Sequence, residues 1–311
     1  MTNTTVLITG GAGNVGSALA NNLAKEDSNT IVIVDNLLTG DRTKVPLCDN
    51  VILIKANVNT YQDIVPVFGR FNFDYVFHYA AVVGVKRTLE NPMAVLDDIE
   101  GIKNILSLSK NTGVKRVFYS SSSEVYGEPF EIPQNEQTTP LNSRLPYAIV
   151  KNVGEAFFKS YFKEYGLEYT IFRFFNTYGP NQSDDFVVPR FLRAALANET
   201  IYIYGDGRQT RSFCYVSDNV DACIKAIKSR VLVNDVINIG SDIEMTILEL
   251  AERIIKFTNS KSQIIHLPAL PEGDMARRCP DTTKMKQLLG RELIPLEEGL
   301  KQLMDFYENR Q

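Results

Sequence analysis

The chain has 311 residues, 44% of them apolar and 23% charged, with a formal charge of −4. That length and apolar fraction allow a sizeable core in one large unit or two joined lobes, and the absence of Pro/Gly/Ser-rich or charge-block segments excludes a disordered class. The mildly acidic balance gives no electrostatic reason to expect nucleic acid or an anionic membrane surface, and no apolar run reaches spanning length.

In chain order, short β-branched runs alternate with longer patterns of helical period: TTVLIT at 4–9, a helix from about Asn14, TIVIV at 30–34, VILI at 51–54, DYVFHY at 74–79, KRVFYS at 115–120 and EYTIFRF at 168–174. Such alternation predicts βαβ crossovers around a buried parallel sheet. Two long segments, 92–113 and 146–166, open on proline and close on glycine, as helix ends prefer. Both are apolar beyond what a sheet covers, which predicts a homodimer formed through the helices at 92–112 and 146–165. After residue 175 the rhythm breaks into loops and shorter elements, with one more strand-like run, VINI at 236–239, followed by the helical TILELAERIIKFT. The expected fold is therefore α/β. A doubly wound Rossmann sheet over 1–175, with 212–240 contributing, carries a smaller interleaved C-terminal substrate lobe over 176–311.

The cysteines, Cys48, Cys214, Cys223 and Cys279, lack any CxxC spacing, and His78 and His266 have no paired ligand or nucleophile. These features point away from a metal site and from histidine catalysis. With a strand beginning at the fourth residue and no basic leader, a cytoplasmic protein without a secretory signal is expected.

Gly10, Gly13 and Gly16 form GxxGxxG between the first strand and its helix. In that setting the first glycine permits a tight turn, the second lets the backbone approach a pyrophosphate and the third lets helix pack on sheet, while the helix N-terminus favours the anion. The second strand ends in Asp35, where a carboxylate can hold a ribose 2′-hydroxyl. No basic residue follows it directly, so NAD is expected over NADP, with Arg42 the one nearby feature on the other side.

Tyr147 and Lys151 stand four apart on a patterned helix, on one face and roughly 6 Å apart along the axis. An ammonium beside a phenol favours the phenolate, which makes Tyr147 a candidate base for a substrate hydroxyl. SSSSEVYG, at the end of the fifth strand and so at the ligand edge of the sheet, offers Ser122 to orient that hydroxyl.

Together TGGAGNVG, Asp35, HYAA at 78–81, SSSSEVYG, YAIVK and RFFNTYGP resemble the extended short-chain dehydrogenase/reductases that modify nucleotide sugars. GDGRQTRSFCYVSDNVDA, NIGSDIEMTILELAERI and RRCPDTTKMKQLLG extend the resemblance over essentially the whole chain. It implies tightly held NAD, a nucleotide-sugar substrate and oxidation of the sugar at C4, with Ser122, Tyr147 and Lys151 as the catalytic set and Glu124 as a further catalytic candidate for the later step. The cofactor contacts it implies are Gly10, Gly13, Asn14, Val15, Gly16, Asp35, Asn36, Asn57, Val58, Ala80 and Ala81, joined by Tyr147 and Lys151. Substrate contacts are Asn176, Arg190, Tyr204, Arg211 and Arg277, the arginines suiting a diphosphate; Arg278 stands next to Arg277 and their roles could be exchanged.

The 4-ketone can then be epimerised, dehydrated, decarboxylated or released. Where the family's dehydratases carry an Asp and a Glu, this chain has Ser123 and Glu124, which argues against dehydration. Glu124, QTRSFCYVSD and RRxPD resemble UDP-glucuronate decarboxylases, whereas AAVVGVKRTLENP does not. Epimerase, C4 dehydrogenase and decarboxylase therefore stay open, and a non-catalytic NAD-binding sensor is the alternative of another class. Two further departures are Asp98, where the family usually has asparagine, and Asn57, where an acid commonly meets adenine.

Overall fold

In a computed structural model, residues 3–269 and 277–308 are described, apart from the side chains of Val85 and Lys86. Seven strands form one parallel sheet in the order β11-β6-β5-β4-β1-β2-β3. They are β1 (Thr4–Thr9), β2 (Asn29–Asp35), β3 (Val51–Lys55), β4 (Tyr75–His78), β5 (Arg116–Ser122), β6 (Glu168–Phe174) and, from the second half of the chain, β11 (Asp235–Ile239). All seven match the apolar runs legible in the sequence. Six of them are buried on both faces, which is why none of those alternates cleanly, and β3, at the edge of the sheet, is half-buried.

One face of the sheet carries α1 (Asn14–Leu23) and α8 (Val216–Lys228), which pack on each other; the other carries α2 (Tyr61–Arg70), α5 (Asp98–Thr112) and α6 (Pro146–Tyr165). Gly113 and Gly166 end α5 and α6 in the left-handed conformation, as their position after a helical pattern predicts. The helix expected over 92–112 is interrupted: α3 (Val85–Glu90) and α4 (Pro92–Leu96) precede α5, and Asp97 stands between α4 and α5. Aromatic rings lock the middle of the sheet, Phe77 lying stacked on Phe118 with centroids 4.3 Å apart.

The remaining elements form the outer part of the C-terminal half. Short strands β7 (Thr177–Tyr178) and β10 (Cys214–Tyr215) pair with each other, β9 (Thr210–Ser212) with β12 (Glu244–Thr246), and β8 (Ile201–Tyr204) with β13 (Ile264–Leu267). Around them lie α7 (Val187–Leu196), α9 (Ile247–Thr258), α10 (Thr283–Leu289) and α11 (Leu296–Glu308). Thr246 and Glu249 close a reciprocal capping box on α9. Among the described residues no helix is long and apolar enough to cross a membrane.

Candidate active site

The order of the sheet reverses between β1 and β4, and in an open parallel sheet the crevice beyond the strand ends at such a point is where ligands bind. A cavity of about 690 Å3 lies there, lined from Asp35 at one end to Arg211 and Arg278 at the other. It has the size and mixed lining of a site for small molecules.

Gly10 leaves β1 at φ +69°, and a Cβ there would stand 2.7 Å from the Ala80 nitrogen. At Gly16 a Cβ would stand 2.5 Å from the Gly10 carbonyl, so turn and helix approach as only glycine permits. Gly13 begins α1 without a side-chain cap. The turn residues Gly10, Gly13, Asn14, Val15 and Gly16 all line the cavity, and the Asn14 Oδ1 is buried without a partner. A bare helix N-terminus in a glycine cradle suits a dinucleotide's pyrophosphate. Asp35 is held from both sides: Ala12 N–H donates to Oδ2 at 3.0 Å and Leu37 N–H to Oδ1 at 2.8 Å. Asn36, Asn57, Val58, Ala80 and Ala81 line the same end. These residues fit NAD.

Asp98, on α5, also faces the cavity. Its Oδ2 accepts the Val82 N–H at 2.8 Å and its Oδ1 accepts the Asn59 amide at 3.0 Å, which ties together the loops after β3 and β4. Burial pushes this carboxyl upward, against those two hydrogen bonds and the charge of Lys151.

At the centre, Ser122 ends β5 and its Oγ accepts the Glu124 N–H at 3.2 Å. Lys151 is buried and donates to the Ser120 carbonyl at 2.6 Å, its ammonium 5.6 Å from the centroid of the Tyr147 ring. Ser122, Glu124, Tyr147 and Lys151 thus meet on one wall of the cavity. Against the lowering that an adjacent ammonium alone would give, burial pushes the Tyr147 phenol upward. The carboxylates Glu124 and Asp98 push the same way, and the Ser122 hydroxyl and Arg278 act against them. Lys151 hydrogen-bonds the backbone rather than the phenol and is itself pushed down to about 8 by burial, opposed by Asp98.

The expected substrate contacts divide. Asn176 and Arg211 line the cavity, Arg211 donating to the Thr210 carbonyl at 2.6 Å. Arg190 and Tyr204 do not line it; the Arg190 guanidinium lies over the Tyr204 ring at 5.9 Å. Arg277 is exposed and paired with Glu244, whereas Arg278 is buried, lines the cavity and meets Glu124 at 2.7 Å. The other Glu124 oxygen, Oε2, is buried without a partner. Arg278, not Arg277, thus points inward, two residues before the bridge between Gln134 and Pro280. No local period in RRCPD carries that choice. Sequence reasoning also missed Arg87 and Asp185, which line the cavity from two parts of the chain and lie 3.6 Å apart.

Residues 6–240 match the NAD dependent epimerase/dehydratase family. The chain is 38% identical to the UDP-N-acetyl-alpha-D-glucosaminuronate decarboxylase of Bacillus cytotoxicus, the match covering 97% of each chain. Its fold is similar to that of UDP-glucose 4-epimerase from Thermotoga maritima, solved with UDP-glucose, with a TM-score of 0.92, 30% identity and 99% of each chain covered. UDP-glucose 4-epimerase of Thermus thermophilus in complex with NAD gives a TM-score of 0.91 at 27% identity, with 99% of this chain and 100% of that chain covered.

Proposed function

The chain belongs to the NAD-dependent epimerase/dehydratase family, and from that premise we propose that it oxidises a nucleotide-activated uronic acid at C4 and then decarboxylates it. NAD-dependent enzymatic chemistry on a nucleotide sugar, opening with C4 oxidation, is the family's common ground. We take residues 1–175 with 212–240 as the NAD-binding unit and the rest as the substrate lobe.

The observation that carries the finer reading is the Glu124–Arg278 pair, buried in the cavity beside Tyr147. Arg278 offers a guanidinium close to the base that must face C4, where the carboxylate on C5 of a uronate would lie. Glu124, with one oxygen unpartnered, can exchange a proton at C5. Tyr147 takes the C4 hydroxyl proton, held in line by Ser122, while Lys151 supplies positive charge. The glycine turn and Asp35 would hold NAD, which would supply a hydride acceptor for C4, a positive ring that favours the phenolate, and the hydride for the closing reduction. With C4 a ketone, the sugar is a β-keto acid, so the C5–C6 bond breaks, carbon dioxide leaves and the electron pair forms the C4–C5 enolate. A solvent proton relayed by Glu124 goes to C5, C4 regains its hydride, and Tyr147 returns its proton to the C4 oxygen.

A second reading, 4-epimerisation of a neutral sugar, is favoured by the same pair seen otherwise: Glu124 already neutralises Arg278, and an uncharged sugar would leave that contact intact. Incubation with UDP-glucuronate, UDP-N-acetylglucosaminuronate, UDP-glucose and UDP-N-acetylglucosamine, followed by product mass and absorbance of reduced nicotinamide, separates the outcomes. Loss of carbon dioxide from a uronate supports decarboxylation. Unchanged mass with an inverted C4 establishes epimerisation, accumulating reduced cofactor marks a released ketone, and no turnover despite bound NAD marks a sensor. We further take the enzyme to be cytoplasmic, and to be a homodimer because Met93, Leu96, Ile149, Phe162 and Tyr165 leave apolar surface exposed on α4 and α6. Light scattering at micromolar concentration tests the dimer.

A further inference from the structure

Glu155 is one of the most deeply buried carboxylates in the molecule, and neither it nor its partner Arg173 lines the cavity. It stands on α6 four residues beyond Lys151 and eight beyond Tyr147, so the three share one helix face. Each meets one of three consecutive residues at the end of β5. Lys151 donates to the Ser120 carbonyl at 2.6 Å, Ser121 Oγ donates to Glu155 Oε1 at 2.7 Å, and Tyr147 adjoins Ser122.

Behind Glu155 the contacts run along a single rung of the sheet. Ser121 on β5 pairs in register with Arg173 on β6, and Arg173 with Asn238 on β11. Arg173 grips Glu155 with two bonds, Nε to Oε1 at 2.9 Å and Nη2 to Oε2 at 2.7 Å. Its Nη1 donates to the Tyr126 hydroxyl at 2.8 Å, which donates in turn to Asn238 Oδ1 at 2.7 Å. Tyr126 closes the short turn Ser123–Tyr126 that carries Glu124. The rung therefore touches every element that bears a candidate catalytic side chain: α6, the end of β5 and the turn.

A buried ion pair is a poor source of stability, since apolar residues of equal volume often serve as well. A planar bidentate pair does fix distance and angle, and misplacement of reacting groups by an ångström costs a great deal in rate. We propose that Glu155 is a positioning residue of the oxidation step, setting through Ser121 and Arg173 the register between the Tyr147 and Lys151 face of α6 and the Ser122 end of β5. This rests on the reading of Tyr147 as base.

Two substitutions test it. Ser121→Ala removes only the strand-side bond and leaves the ion pair, and Glu155→Gln keeps the shape while removing the charge. Both are assayed for kcat, KM and the isotope effect with substrate deuterated at C4, and Tyr147→Phe is run alongside. The expected result is a fall in kcat on the order of tenfold or more in each variant, KM within about twofold, and a larger isotope effect as the misaligned step becomes limiting. If Glu155→Gln fails to fold, Ser121→Ala decides by itself. A wild-type kcat and isotope effect in folded Ser121→Ala overturns the proposal. An active Tyr147→Phe instead overturns the assignment of the base, whatever the other two variants do.

Discussion

Lowering the pH from 7.5 to 5 puts a charge on histidine in the unfolded chain that His78 in the folded chain refuses. His78 is buried at the end of β4, and burial, aided by the Lys151 charge, pushes it down from 6.5 to about 3. Its partner is Thr9: the Oγ1 lies 2.9 Å from His78 Nδ1 and already accepts the N–H groups of Tyr79 and Ala80 at 3.2 Å each. The Thr9 hydroxyl proton is thus directed at Nδ1, which must accept, and the ring carries its proton on Nε2. Above pH 6.5 both folded and unfolded states are neutral and nothing changes. Below it the unfolded chain binds the proton first, so stability is lost progressively as the pH falls toward 3. At pH 5 the loss is 1.5 pH units at about 1.4 kcal/mol each, or about 2 kcal/mol. Urea unfolding of the protein and of His78→Gln at both pH values measures it, because the variant's own cost is common to the two conditions. The difference between pH 7.5 and pH 5 should shrink by about 2 kcal/mol in the variant; an unchanged difference refutes the reasoning. Because folded His78 stays neutral down to about pH 3, the cofactor end of the cavity lined by Tyr79 and Ala80 should keep its NAD affinity across this window as long as the protein stays folded.

Gly16→Ala drives a methyl to 2.5 Å from the Gly10 carbonyl, and should weaken NAD binding by about tenfold or more while circular dichroism stays native; calorimetric titration with NAD checks it. Tyr147→Phe should lower kcat by about 10²–10⁴-fold with NAD affinity retained, measured as turnover and as cofactor binding on one preparation. Arg278→Leu should abolish turnover of a uronate by removing the cavity's partner for Glu124. Arg277→Leu, whose side chain is exposed on Glu244, should leave KM within about twofold; steady-state kinetics on both variants separates the neighbours.

The parts of this molecule legible from sequence are those where chemistry is local. A parallel strand buried on both faces must be an apolar run, so the six buried strands are visible, β11 included, and the half-buried edge strand β3 shows as the short run VILI. Proline and glycine at the ends of α6 mark its limits to the residue, because the first helical position and the left-handed cap each suit one of them. The glycine turn and Asp35 are visible for the same reason. What was not legible depends on groups distant in sequence. Whether Arg277 or Arg278 turns inward shows only in the fold, where Arg278 lines the cavity and Arg277 pairs with Glu244 outside it. The direction of the Tyr147 shift is settled by burial, which the spacing of Tyr147 and Lys151 says nothing about. Arg190 and Tyr204 have the right chemistry for a nucleotide, but α7 and β8 place them against each other instead.

Asp98 shows how such a distant dependence turns a departure from pattern into a requirement. Two donors converge on it, the Val82 N–H and the Asn59 amide, one from each loop at the cofactor end. An asparagine offers one acceptor oxygen and would set its own NH2 against the second donor, whereas a carboxylate accepts both. A buried carboxylate carries a desolvation cost, which here pushes Asp98 upward, and a buried ammonium carries the converse, which pushes Lys151 down to about 8. Each charge opposes the shift of the other. The aspartate therefore does two things an amide could not: it joins both cofactor loops to α5, and it favours the charged form of the lysine. Asn59 fits the same logic, since an acid in its place would oppose Asp98 and leave one loop untied.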